Sequence, residues 1–288
     1  QEWETERGVC VRFDGMKSPN MLAGKSKYEF LINEDQIKQA QKYDGEDSPK
    51  FWKYTRGMWS PEGVCKTVLS ESLIEKYRVM HPAIFIRESN MIAGLDPAFA
   101  GGDRCVIQLA RYGDFDNGKM GIQLEKNEVI ELDANSSEPV HFQIANRTRQ
   151  ICEENNIHPS KLAIDATGEG GGLCDILAKT WSSEIQRVEF GGKASDRPVS
   201  PEDHRPSCDV YANKVTELWF SVRQWAINEQ LRNMQHDAAI EFCGRMFDDE
   251  KRMTIIERKV DMKSRTGKSP DLADAVALVV EMARRLGG

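Results

Sequence analysis

The chain has 288 residues, 40% of them apolar, which exceeds one typical domain and can bury a sizeable core; one large domain with a smaller appendage is expected. Charged residues make up 30%, no apolar run nears the roughly 18 residues of a membrane span, and the acidic opening Gln1-Glu2-Trp3-Glu4-Thr5-Glu6 is unlike a signal peptide, so a cytoplasmic location and no membrane are expected. A net charge of -7 excludes a uniformly basic nucleic-acid coat but not a basic groove, because binding follows local charge.

The start at Gln1 rather than Met points to a piece of a longer polypeptide. The seven cysteines (Cys10, Cys65, Cys105, Cys152, Cys174, Cys208 and Cys243) are odd in number and scattered, with no Cys-x-x-Cys pair, so they read as reduced thiols and not as a disulfide framework or a zinc site. The five histidines show no His-x3-His spacing.

Residues 1–87 are broken by turn signals at Asp14-Gly15, Ser18-Pro19, Asp44-Gly45, Ser48-Pro49 and Ser60-Pro61, with helices expected over 34–43 and 70–80. The stretch reads as a linker or the tail of a preceding domain. Phe51, Trp52, Tyr54 and Trp59, interleaved with Lys50, Lys53 and Arg56, suit either packing within a small subdomain or a surface for nucleic acid or a partner. Ala23-Gly24-Lys25-Ser26 imitates the end of a phosphate-binding loop, but the first glycine of G-x4-G-K-[ST] falls on Pro19; before Gly267-Lys268-Ser269 it falls on Met262.

From about residue 88 the texture changes. Short β-rich runs at 91–95, 104–111 and 120–132, separated by turns, predict antiparallel strands joined by hairpins. A helix is expected over 139–155, where Val140, Ile144 and Ile151 recur at helical spacing. Then come a strand at 161–164, a helix over 170–181 and a strand at 185–190. The polar stretch 191–207 is expected to be a mobile loop. One long helix is expected over 209–234, a short one over 237–246, a strand at 253–257 and a last helix over 270–285. Three hairpin-linked strands, a helix, then alternating strands and helices make an α/β chain with an RNase H-like mixed sheet, antiparallel hairpin strands plus parallel strands, flanked by helices.

Three acidic stretches carry the chemistry. Met91-Ile92-Ala93-Gly94-Leu95-Asp96 and Leu162-Ala163-Ile164-Asp165 each end an apolar run in an aspartate, and strand ends are where ligands of α/β sheets bind. Asp96 before Pro97 also suits a turn start, and Asp165 a helix cap, although Thr167 or Glu169 lies better placed to cap. In Ser269-Pro270-Asp271-Leu272-Ala273-Asp274, Ser269 fits N-cap and Pro270 the first helical position, so the helix dipole accounts for Asp271. Asp274 shares a face with Leu278 and has no such explanation; a charge there needs a cation. Asp96, Asp165 and Asp274 are therefore the candidate catalytic metal ligands, with Asp271 and Glu169 in second rank, for one or two Mg2+ or Mn2+ ions. Between Arg245 and Lys268 eight Lys or Arg face five Asp or Glu, and Lys259, Lys263, Arg265 and Lys268 read either as phosphate contacts or as a solvated loop.

Together, Gly94-Leu95-Asp96-Pro97-Ala98, Ile164-Asp165-Ala166-Thr167-Gly168 and Ser269-Pro270-Asp271-Leu272-Ala273-Asp274-Ala275 resemble the C-terminal nuclease domain of the large terminase subunit of tailed bacteriophages, over roughly residues 88–288. The resemblance implies metal-dependent cleavage of concatemeric double-stranded viral DNA during genome packaging in the cytoplasm of an infected bacterium, with a portal on the procapsid and a small terminase subunit as partners. By motif position it makes Asp96, Asp165 and Asp274 the ligands and Asp271 accessory. Residues 1–87 would be the end of an ATPase part and linker, but the chain has no Walker motif and no motor activity is expected of it. The rival readings are a RuvC-like branched-DNA resolvase and a non-catalytic DNA-gripping or portal-docking module. An actin-like ATPase is disfavoured for want of glycine-rich phosphate loops.

Overall fold

Residues 2–5, 8–43, 51–58, 66–99, 102–200, 203–249 and 252–287 are described by the structure, a computed structural model. The turns expected at Asp44-Gly45, Ser48-Pro49 and Ser60-Pro61, with Lys50 and Trp59, lie outside those residues. The chain divides into two units, Gln1–Lys66 with Ser70–Ser72, and Thr67–Leu69 with Leu73–Gly288.

The first unit holds a hairpin of β1 (Glu2–Thr5) and β2 (Gly8–Val11), the short helix α1 (Pro19–Leu22), α2 (Glu34–Tyr43) and a π-helical turn, Phe51–Thr55. The buried Asn20 organises its loops: its amide donates to the carbonyls of Tyr28 and Leu31 at 2.8 and 2.9 Å, and its Oδ1 accepts from the amides of Lys27 and Tyr28. Asn33 and Gln36 exchange side-chain and backbone hydrogen bonds at 3.0 Å, a reciprocal cap that starts α2 where the sequence expects it. Phe51 is buried and Tyr54 exposed. Gly24-Lys25-Ser26 directly follows the helix α1 and not a strand, unlike a phosphate-binding loop.

The second unit is built on six strands. Its elements run from α3 (Glu71–Lys76), of which Glu71 and Ser72 count with the first unit, through β3 (Asn90–Asp96), β4 (Val106–Asp114), β5 (Met120–Val129), α4 (Val140–Glu154), β6 (Leu162–Asp165), α5 (Glu169–Thr180) and β7 (Gln186–Val188). It continues with α6 (Ser207–Val210), α7 (Lys214–Ile227), β8 (Leu231–Arg232), α8 (His236–Gly244), a small hairpin of β9 (Phe247–Asp248) and β10 (Ile255–Ile256), α9 (Lys259–Thr266) and α10 (Asp271–Arg285). The sheet order is β7-β6-β3-β4-β5-β8. β3, β4 and β5 pair antiparallel, while β6 and β7 run parallel to β3, and β8 runs parallel to β5. This is the RNase H-like mixed sheet that the order of elements predicts.

Side-chain alternation along the strands separates two cores. Ile92, Val106, Ala110, Ile122 and Ala163 face a core with α7, α8 and α10, whereas Ala93, Leu95, Ile107, Leu109 and Ile164 face one with α4 and α5. α10 is buried along most of its length, and Gly94 is what lets it lie so close to β3. A Cβ on Gly94 would stand 2.6 Å from the Ala275 carbonyl oxygen and 2.7 Å from both Leu278 Cβ and the Val279 nitrogen. None of these is the tip of a flexible side chain, so Gly94→Ala is expected to cost about 1–3 kcal/mol by overpacking, read as a lowered midpoint in urea.

Four expectations need correction. The helix expected over 209–234 is broken into α6 and α7, because Tyr211 pairs with Thr254 as a β-bridge and Asn213 caps α7 by accepting from the Thr216 amide at 3.0 Å. It also ends early, at Ile227, where Glu229 takes a positive φ of 58° and leads into β8. The helix expected over 70–80 is only α3, since Arg78 at φ 52° turns the chain away. The basic stretch before the last helix is itself helical, α9, closed by Gly267 in the left-handed conformation. Finally, Pro270 is the cap of α10 and Asp271 its first residue, one position later than Ser269 and Pro270 suggest.

Candidate functional site

β3 and β6 lie side by side with Leu95 opposite Ile164, so Asp96 and Asp165 end adjacent parallel strands one step further on. Neighbouring strands stand about 4.8 Å apart. By parity Asp96 follows Gly94 and Asp165 follows Ala163, so both belong to the face that α10 covers. α10 runs against β3: Gly94 meets residues 275–279, and two residues up the strand correspond to about four residues back along the helix. That geometry brings Asp271 and Asp274, in the first turn of α10, over the strand ends. Asp96, Asp271 and Asp274 are buried, and Asp165 is partly so.

Each carboxylate is held by donors. Asp274 Oδ1 accepts from Trp219 Nε1 at 2.8 Å and from the Arg245 guanidinium at 3.4 Å. Arg245 also lies 4.4 Å over the Trp219 ring and donates to the Glu257 carbonyl at 3.0 Å. Asp271 Oδ2 accepts the Arg104 amide at 2.9 Å. Asp165 Oδ1 accepts from the amide and hydroxyl of Thr167, at 3.0 and 2.7 Å, and from the Phe190 amide at 3.3 Å. Glu241 on α8 takes the Ala273 amide on one oxygen at 2.8 Å and Arg104 on the other at 2.6 Å. It thereby satisfies one of the unpaired amides that open α10.

In the midst of the aspartates stands Lys259. Its Nζ lies 3.3 Å from Asp96 Oδ2, 3.0 Å from Asp271 Oδ1 and 3.1 Å from Asp274 Oδ2. Burial would lower its pKa, but Asp274, Asp96 and Asp271 outweigh burial and raise it, so the ammonium stays charged. Burial holds the Asp96 carboxyl well above the ordinary carboxylate range; Lys259 opposes this, and Asp274, Asp271 and Asp165 add to it. Asp165 is raised by burial against the bonds from Thr167. Burial also raises Asp271, but Lys259 and the Arg104 amide prevail and hold it below its ordinary value. Burial pushes Glu241 up to about 7.

Five carboxylates (Asp96, Asp165, Asp271, Asp274 and Glu241) thus face three cations (Lys259, Arg245 and Arg104). An oxygen-only donor set with surplus negative charge is chemistry that suits Mg2+ or Mn2+. As the side chains stand around Lys259, no three acidic, His or Cys side chains among the described residues are spaced to hold a metal ion.

The other candidates make different contacts. Glu169 opens α5 with its side chain mostly exposed, 3.9 Å from His141 Nε2, which stacks on Phe99 at 4.3 Å. Lys263 pairs with Asp103 at 2.5 Å, and Arg265 with Glu257 at 2.6 Å and the Gly244 carbonyl at 2.6 Å. Lys268 is exposed. Residues that the sequence reading passed over complete the site: Trp219, placed there in an apolar stripe; Arg245, counted among basic residues; Arg104; and Glu241. Ile240-Glu241-Phe242 sets a charge in an apolar run, the same signal that marks Asp274, and so was legible; a buried indole that must find an acceptor names no partner in advance.

No family model and no curated protein matches the chain. Among solved structures it is similar to the nuclease domain of the large terminase subunit of bacterial virus Sf6, a point mutant with manganese and beta-thujaplicinol. The two share 16% identity at a TM-score of 0.52, over 74% of this chain and 98% of that one. It also matches RuvC of Thermus thermophilus at 13% identity and a TM-score of 0.33, over 68% of this chain and 96% of that one. The first likeness shows the fold, an RNase H-like sheet shared with a terminase nuclease domain.

Proposed function

We propose that this chain is a metal-dependent endonuclease that hydrolyses phosphodiester bonds of double-stranded DNA, acting on concatemeric phage genomes during packaging. The observation that carries the proposal is the meeting of Asp96, Asp165 and Asp274, with Asp271, at the ends of two adjacent strands beneath the first turn of α10. Asp96, Asp165 and Asp274 are the proposed holders of Mg2+ or Mn2+, and Asp271 borders the same space. Bound there, such an ion would supply an activated water and stabilise the leaving oxygen.

The chain's own residues fix the frame for that chemistry. Trp219 and Arg245 tie up Asp274 Oδ1, leaving Oδ2 on the side of Lys259. Thr167 and Phe190 orient Asp165, and Glu241 with Arg104 pins the first turn of α10. The burial of Asp96, Asp271 and Asp274 limits water around them, which strengthens every charge interaction. Lys268, exposed just before α10, is the proposed phosphate contact, whereas Lys259, Lys263 and Arg265 are engaged within the protein. The portal, procapsid and small terminase subunit remain proposed partners on the resemblance alone.

The test is cleavage of plasmid, linear duplex and four-way junction DNA with Mg2+, Mn2+ or EDTA. Metal-dependent cutting of plasmid and linear duplex is expected. Cutting confined to junctions would favour a RuvC-like resolvase, and binding without cutting in either metal would favour a gripping module.

A further inference from the structure

Lys259 opens α9, and its ammonium is shared by one carboxylate from β3 and two from α10, at 3.0–3.3 Å. Its side chain is 35% exposed, while those of Asp96, Asp271 and Asp274 are 8%, 2% and 3% exposed, so the stem enters from the surface and only the tip reaches the acids. α9 has anchors of its own: Met262 is buried, and Lys263 and Arg265 pair with Asp103 and Glu257. The position of α9 therefore does not depend on the Lys259 ammonium alone.

A divalent ion liganded by any of the three oxygens would sit about 2.0–2.2 Å from it, and hence within about 5.5 Å of the present Nζ position. Two cations that close, in a space largely shielded from water, repel strongly. Either one relieves the crowded carboxylates, and the pair together does not.

We propose that Lys259 is a built-in counterion: it holds the carboxylate cluster together before a divalent ion binds, and it withdraws its ammonium toward solvent when the ion enters. The proposal rests on the metal site of the nuclease reading. It explains how so many buried acids come together during folding, since without Lys259 the cations paired with them among the described residues are Arg245 and Arg104. It also makes Lys259 a positioning residue, acting on the acids and not on the substrate.

Two measurements on the full chain test it. Calorimetric titration with Mn2+ compares wild type, Lys259→Met and Lys259→Arg. Lys259→Met is expected to bind Mn2+ tighter by on the order of tenfold or more, and Lys259→Arg no tighter than wild type. Lysine acetylation of the wild type, read by mass spectrometry, is expected to find Lys259 protected without metal and labelled faster at saturating Mn2+, with exposed Lys268 labelled equally in both. Equal or weaker Mn2+ binding by a folded Lys259→Met, or Lys259 protection that Mn2+ leaves unchanged, overturns the proposal while leaving the nuclease reading standing. If Lys259→Met does not fold, the labelling result on the wild type decides. Failure of wild type and both variants to bind Mn2+ at millimolar concentration removes the metal site itself, and with it this proposal.

Discussion

Asp274→Asn is expected to lower Mg2+- or Mn2+-dependent plasmid cleavage by about a thousandfold or more, with the fold retained. Asn keeps an oxygen able to accept from Trp219 Nε1, so the packing of α7 against α10 survives. What is lost is negative charge in the middle of the cluster, where the proposed ions need it. Because the acids outnumber the cations, removing one charge should not unfold the protein, and thermal melting in EDTA should show this. Asp165→Asn is expected to behave likewise. Asp261→Asn, on the exposed side of α9 and paired with Arg258, is expected to cut as well as wild type. Cleavage by Asp274→Asn at wild-type rate would detach the activity from the aspartates.

Glu217→Ala is expected to destabilise the protein by about 3–5 kcal/mol, for a reason unrelated to catalysis. Glu217 is fully buried on α7. It accepts from Arg284 at 2.9 Å, Lys214 at 3.1 Å, and both the amide and hydroxyl of Ser195 at 2.7 Å. Truncation leaves two nearly buried cations with Glu281 as their shared acid, and it frees the loop after β7. Burial raises the Glu217 carboxyl, but Arg284, Lys214 and Ser195 outweigh it and hold it below its ordinary value. A depressed acid stabilises the fold above its unfolded pKa, and that stabilisation is lost as pH falls through the folded value. The gap between wild type and Glu217→Ala in urea unfolding should therefore be full at neutral pH and narrow in acid, below the ordinary glutamate pKa. A gap independent of pH would mean that lost packing, and not the ion pairs, explains the cost.

Much of this molecule was legible in its sequence, because the second unit's sheet follows short-range rules. The runs ending in Asp96 and Asp165 are buried strands whose ends are set by Pro97 and by a glycine-rich turn, and α10 has an unbroken apolar pattern with two acids at its start. The hairpin strands come from β-rich runs between turn signals, and α4 from helical spacing after a proline. The breaks between α6, α7 and β8 were hidden, because a β-bridge from Tyr211 to Thr254 and the pairing of Leu231 with Ile122 are made with distant residues. Lys259 was hidden for the same reason. In sequence it is one of a run of basic residues, and its role depends on Asp96, which is 163 positions away. The polar stretch after β7 carries a small hairpin, with Val199 donating to the Arg205 carbonyl at 3.1 Å, and its tie to Glu217 through Ser195 leaves no local trace.

Anomalous scattering from crystals soaked in Mn2+ tests the central claim most directly. One or two peaks are expected within about 2.0–2.3 Å of carboxylate oxygens of Asp96, Asp165 and Asp274. Strong Mn2+ peaks only elsewhere, or none at saturating Mn2+ with these aspartates well ordered, would contradict it.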